Sequence, residues 1–168
     1  MQGRLQQSYR VSRELDQHAT FDGTIPLSKM PRLSSLIIAN ETDIEVKFEF
    51  ASDAYQHPSI RGSYRAQLNA QCQRCLEPMD FTVEQDFELL IDASDEEVQA
   101  FQVDSVYTSE GYLDVFEVIE DELILTLPII LMHDDPSCNE YLQPGEPDSP
   151  VVEKNNPFAV LEALKEGD

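Results

Sequence analysis

Tryptophan is absent from this chain, glycine is scarce at six residues in 168, and only three cysteines occur. The scattered glycines form no G-x-x-x-x-G-K-S/T, G-x-G-x-x-G or G-x-S-x-G, which sets aside phosphate-cradling loops and the nucleophile elbow. No apolar run is long enough to cross a bilayer: the longest, Leu123 to Met132, is interrupted by Thr126 and Pro128. No basic segment followed by an apolar one opens the sequence as a secretory leader would. An odd cysteine count without a leader points to a reducing, cytoplasmic setting, with thiols or metal rather than structural disulfides. The expectation is one folded domain with no membrane and no small-molecule substrate among its partners.

The last shortage is regional. Met1 to Arg74 holds nine Lys/Arg against eight Asp/Glu, whereas Cys75 to Glu153 holds no Lys or Arg at all against 22 acids. Lys154 to Asp168 adds two bases and three acids, so the middle segment carries essentially all of the net charge of −22. Such a surface repels phosphate backbones, whose affinity rests on Lys and Arg displacing counterions. It attracts basic partners and speeds their encounter at low salt. Solubility alone is the simpler reading of the same charge.

The cysteines that are present fall into a pattern. Cys72-Gln73-Arg74-Cys75 is a C-x2-C, and His133 with Cys138 is an H-x4-C, together three thiolates and one imidazole, a complete tetrahedral set for zinc. The competing reading makes Cys72 and Cys75 small residues at a strand end and Cys138 a loop thiol. Cys72 and Cys75 could also form a redox pair, but strands rather than a strand-to-helix turn flank them.

Ile44, Val46, Phe48 and Phe50 alternate with charged residues, as do Tyr64 to Cys72 with polar ones, and Phe81, Val83, Phe87, Leu89 and Ile91 form a third such run, broken at Gln85. These predict three strands, the last two joined through Gln73–Asp80, which places Cys72 on the core side at a strand end. Leu33 to Ala39 reads as a further apolar strand, and Thr24–Leu27 as the approach to a short helix. Asp92 to Gln102 reads as one helical turn or a loop, and Val103 to Tyr107 as a short strand. Leu113, Phe116, Ile119, Leu123, Ile124 and Leu127 share one helical face, with Asp114 as N-cap and Pro128 as stop. Glu120 falls inside that apolar arc, where a carboxylate must find a partner or stay at the rim, and a structural bond to an Arg or backbone donor is the expectation. The fold expected is α+β: an antiparallel sheet or partly closed barrel of about five or six strands packed by one long helix. Residues 1–142 form the domain, 143–156 a Pro-rich linker, and 157–168 a short C-terminal helix or hook, with Asn156 as cap and Pro157 at the first helical position.

Four stretches taken together resemble the YceD family, in its proteobacterial type: Cys72-Gln73-Arg74-Cys75, the Glu120 to Pro128 helix end, His133-x4-Cys138, and Asn156-Pro157-Phe158-Ala159-Val160-Leu161 with Leu164-Lys165. The resemblance implies a bacterial, non-enzymatic factor associated with accumulation of 23S ribosomal RNA, with no catalytic residue to carry over. Two modes of action follow as expectations. In one, the acidic segment holds a basic ribosomal protein or rRNA-processing factor. In the other, Arg61, Arg65 and Arg74 contact large-subunit rRNA directly. A thiol-redox or metal-dependent enzyme ranks behind both.

Overall fold

The computed structural model describes residues 3–38, 41–52 and 57–139. The expected linker, the C-terminal hook and the domain end at residue 142 lie outside the described residues. The chain divides into two compact units, Met1–Asp135 and Pro136–Asp168. The described part of the second is a single 3-10 turn, Pro136–Cys138, and a following residue.

The first unit is built on the period-two segments. Strands β4 (Asp43–Ser52), β5 (Pro58–Gln71) and β6 (Pro78–Ile91) form an antiparallel meander. Strand β3 (Thr20–Pro26) pairs antiparallel with β4, while β1 (Gly3–Arg4) and β7 (Ser105–Val106) add parallel edges, in the order β1-β3-β4-β5-β6-β7. The expected α+β class stands, with a mixed, curled sheet rather than a purely antiparallel one. A side-chain Cβ at Gly62 would run into the carbonyl oxygen of Lys47, so β4 and β5 approach closely there only because that residue is glycine.

A second ribbon joins β2 (Ser8–Arg10) to β8 (Tyr112–Asp114), and two short helices, α1 (Val11–Asp16) and α3 (Asp95–Phe101), flank the sheet elements. Helix α3 is two turns rather than one, because Ser94 and Glu97 form a reciprocal capping box at its start. Tyr9 on β2 packs edge-on against Phe21 of β3 at 4.5 Å between ring centres and against Phe48 of β4 at 5.4 Å, which ties ribbon to sheet.

Helix α4 (Val115–Thr126) lies on the sheet's inner face. The Asp114 side chain caps it by accepting from the backbone N–H of Phe116 and Glu117. Val115, Ile119 and Leu123 are fully buried with Ile44, Phe48, Ile60, Tyr64 and Leu68 of the sheet. The Tyr64 hydroxyl reaches the last turn of α4, donating to the Glu122 carbonyl at 3.0 Å and lying 2.6 Å from Thr126 Oγ1.

Thr24–Leu27 does lead into a short helix: residues 24–26 end β3 and a 3-10 turn at Leu27–Lys29 follows, while one other local expectation is corrected. The supposed strand from Leu33 is helix α2 (Pro31–Leu36), with proline at its first position and Leu33 buried, followed only by an isolated bridge from Ile38 to Asn69. The start of α2 is held by Glu120. That carboxylate, 5 % exposed, accepts from the backbone N–H of Arg32 at 2.7 Å, the N–H of Leu33 at 3.0 Å and the Arg32 Nε at 3.1 Å. Arg32 extends the contact outward to Asp121 at 2.5 Å.

Glu120→Ala leaves the two amide donors at the start of α2 without their acceptor, while the half-exposed Arg32 side chain keeps Asp121, and is expected to lower stability by about 2–4 kcal/mol. Asp121→Ala removes only the exposed end of the same network and is expected to stay within about 0.5 kcal/mol. Urea unfolding of the two variants side by side checks the contrast.

Candidate metal centre and the charged sheet face

Strand β5 ends at Gln71 and β6 begins at Pro78, so the C-x2-C occupies the first four of the six residues of the hairpin turn between them. The turn is closed by backbone bonds: Cys72 N–H donates to the Glu77 carbonyl and Leu76 N–H to the Cys72 carbonyl, both at 2.9 Å. Cys72 continues the inward phase of β5 and is fully buried, while Cys75 is half-buried.

Pro128 stops α4, and the chain then passes beside this turn, where the Leu131 carbonyl accepts from Gln73 N–H at 2.8 Å. Two residues later His133 lies against the cysteines. Its Nδ1 is 3.3 Å from Cys75 Sγ, and its backbone N–H donates to Cys72 Sγ at 3.4 Å, as does the N–H of Arg74. The donor atoms of Cys72, Cys75 and His133 all lie within 4.8 Å of one another. A tetrahedral zinc ion spaces two thiolate sulfurs by about 3.8 Å and a sulfur and an imidazole nitrogen by about 3.6 Å, so this spacing suits one ion. Counted with Cys138, the set is a Cys3His group that could hold a metal.

Electrostatics favour the thiolate form that a metal requires. Burial works to raise the Cys72 thiol. The backbone amides of Cys75, His133 and Arg74, with the Cys75 side chain, outweigh it and bring the thiol down to about 5. Amide N–H groups aimed at a cysteine sulfur are also what orients and tunes a metal ligand.

Of the three candidate RNA-contacting arginines, Arg61 and Arg65 sit elsewhere and Arg74 lies in the turn itself, and all three are engaged. On the outer face of the sheet, Arg61 of β5 stands between Glu49 of β4 and Glu88 of β6, and Arg65 between Glu45 and Glu84. Arg61 Nε donates to Glu49 at 2.6 Å, and Arg65 Nε lies 3.8 Å from Glu84. Arg74 belongs to the hairpin turn, where it donates to the Asp135 carbonyl at 2.9 Å and approaches the Met132 sulfur at 3.6 Å. The outer positions of β4–β6, with Asp22 of β3 opposite Lys47, carry eight acids and three bases.

Sequence reasoning passed over Arg32, the partner of Glu120, and the exposed apolar residues around the turn: Leu76, Ile129 and Ile130. The signal for the latter was present, since Ile129 and Ile130 follow a helix-stopping proline, where the α4 face no longer dictates burial.

Comparison with known proteins follows the same residues. A family model described as Large ribosomal RNA subunit accumulation protein YceD matches residues 60–165. Over 162 residues, 92 % of this chain and 92 % of the relative, the chain is 28 % identical to a Haemophilus influenzae protein named Large ribosomal RNA subunit accumulation protein YceD. No solved structure matches.

A low thiol pKa speeds alkylation and burial blocks it, and at Cys72 burial is expected to win. In the folded, chelator-treated chain, brief iodoacetamide exposure should label Cys75 well before Cys72. Peptide mass spectrometry reads the order, and adding urea should abolish the difference.

Proposed function

The chain belongs to the YceD family, and from that premise we propose that it promotes accumulation of 23S ribosomal RNA in the cytoplasm without catalysing a reaction, by holding a basic protein of the large subunit or its processing machinery. The observation that carries this reading is the charge distribution. From Cys75 to Glu153 there is no Lys or Arg, and the bases of the sheet's outer face are matched or outnumbered by acids on neighbouring strands. A basic ribosomal protein not yet assembled on RNA has the complementary surface, and the attraction between them is long-ranged at low salt. Protection of that protein would raise the yield of assembled RNA indirectly.

Direct RNA contact through Arg61, Arg65 and Arg74 is the weaker reading. Each of the first two must leave an acid to meet a phosphate, and the surrounding carboxylates oppose the phosphate itself. No described helix is long and apolar enough to cross a membrane.

Zinc fits the same proposal as a structural staple. Cys72, Cys75 and His133 supply three ligands, and Cys138, five residues beyond His133, supplies the fourth. Soft thiolates with one imidazole favour zinc over hard cations. The ion would fasten the β5–β6 turn to the segment that leaves α4.

Immobilised protein is expected to retain basic large-subunit proteins from a ribosome-depleted extract at low salt and to release them at high salt. Retention of RNA alone, after those proteins have been removed, would contradict the protein-contact reading. For the staple, elemental analysis of the purified chain is expected to give one zinc per molecule, lost in Cys72→Ser and Cys138→Ser. Metal-free wild-type protein with an unchanged melting temperature on zinc addition would return the cysteines to packing.

A further inference from the structure

The metal-centre turn carries a feature that charge alone does not explain. Leu76 is 65 % exposed, Leu125 on the outer side of α4 is 77 % exposed, and Ile129 and Ile130 are 96 % and 58 % exposed. Met132, at 39 %, continues the series toward the turn. The Gln73–Leu131 backbone bond holds the two parts of this series, the hairpin turn and the segment after α4, side by side. Exposed apolar side chains gathered in one place mark a contact surface more often than singly scattered ones do.

Leu76 adds an independent observation. Its backbone is left-handed, with φ of 64°, a conformation that glycine and asparagine adopt with far less strain than leucine. The closure of the turn onto the Cys72 carbonyl accounts for that backbone but not for a bulky apolar side chain standing exposed on it.

The surroundings identify the occupant. Asp121 lies one helical turn before Leu125, Glu77 adjoins Leu76, and Asp134 and Asp135 follow Met132. Arg74, the base at the edge, is engaged with Asp135 and Met132. A second copy of this chain would set acids against acids. The chain's own end, Lys154 to Asp168, has three acids to two bases and complements the site poorly. We infer that Leu76, Leu125, Ile129, Ile130 and Met132 form an anchor site for apolar side chains of a basic protein segment, whose Lys and Arg residues meet the acids around it. This rests on the protein-contact reading above and names where on the molecule that contact is made.

The test uses the full chain and two synthetic peptides of equal length and charge, one alternating leucine and lysine and one alternating serine and lysine. Fluorescence anisotropy is read at low and high salt. The leucine peptide is expected to bind about tenfold or more tighter than the serine peptide, the gain expected from burying a few apolar side chains. Ile129→Ser/Ile130→Ser should erase that preference and leave binding of the serine peptide unchanged. Leu76→Asn, which suits the left-handed backbone, should reduce the preference without loss of folding, so an unfolded double variant does not leave the idea unexamined. Equal affinity for the two peptides, or a preference intact in both variants, overturns the anchor site while leaving the acidic-surface reading in place. Failure of both peptides to bind at low salt overturns both. A rise in leucine-peptide affinity in Phe158→Ser/Leu161→Ser would make the chain's own end the occupant. A dimer dissociated by Ile129→Ser/Ile130→Ser would make it a second copy. Either result overturns the assignment to a basic partner.

Discussion

A carboxylate inside an apolar interface is tolerated only when its oxygens are met by donors, and the arrangement of this molecule depends on how Glu120 is met. Two backbone amides at the start of α2 and the Arg32 side chain converge on it. Through that contact α2 is locked to α4, and α4 is in turn locked to the sheet by Val115, Ile119, Leu123 and Tyr64. The position of α4 decides where the chain emerges after Pro128, and hence that His133 arrives at the β5–β6 turn. The buried acid and the candidate metal centre are therefore two ends of one structural sequence.

Charge is organised by the register of the sheet as much as by composition. The three basic side chains on its outer face each stand next to acids on neighbouring strands, which makes the bases internal counterions rather than a free positive patch. Cross-strand pairs of this kind contribute little to stability individually. Their larger effect is on the external field, since acids outnumber bases across the face that carries Arg61 and Arg65.

Much of this was legible in the residues. Period-two alternation makes β4, β5 and β6 readable, and an aspartate, a 3.6-residue apolar stripe and a proline bound α4 closely. The strand phase also places Cys72 at the core edge, where it lies fully buried. The strand expected from Leu33 to Ala39 begins instead as helix α2, because a short apolar run is compatible with either period, and Pro31 is the signal that favours helix. Strands β1, β2, β7 and β8 were hard to see because two or three residues carry no periodicity, and their pairing is decided by distant partners. The spacing of Cys72, Cys75, His133 and Cys138 nominates a ligand set, but nothing in that spacing shows that Pro128 and the Gln73–Leu131 bond bring His133 to the cysteines.

The β2–β8 ribbon has a consequence for how the chain is made. Gln7 donates through its side chain to Asp114, 107 residues further on, and Ser8 pairs with the same residue. The meander β4–β5–β6, by contrast, joins neighbours through hairpins and closes its contacts locally. During synthesis from the N-terminus β2 therefore waits without its strand partner until the start of α4 has left the ribosome. Strand β2, among the first segments translated, can be paired only after the whole β4–β5–β6 meander has been made.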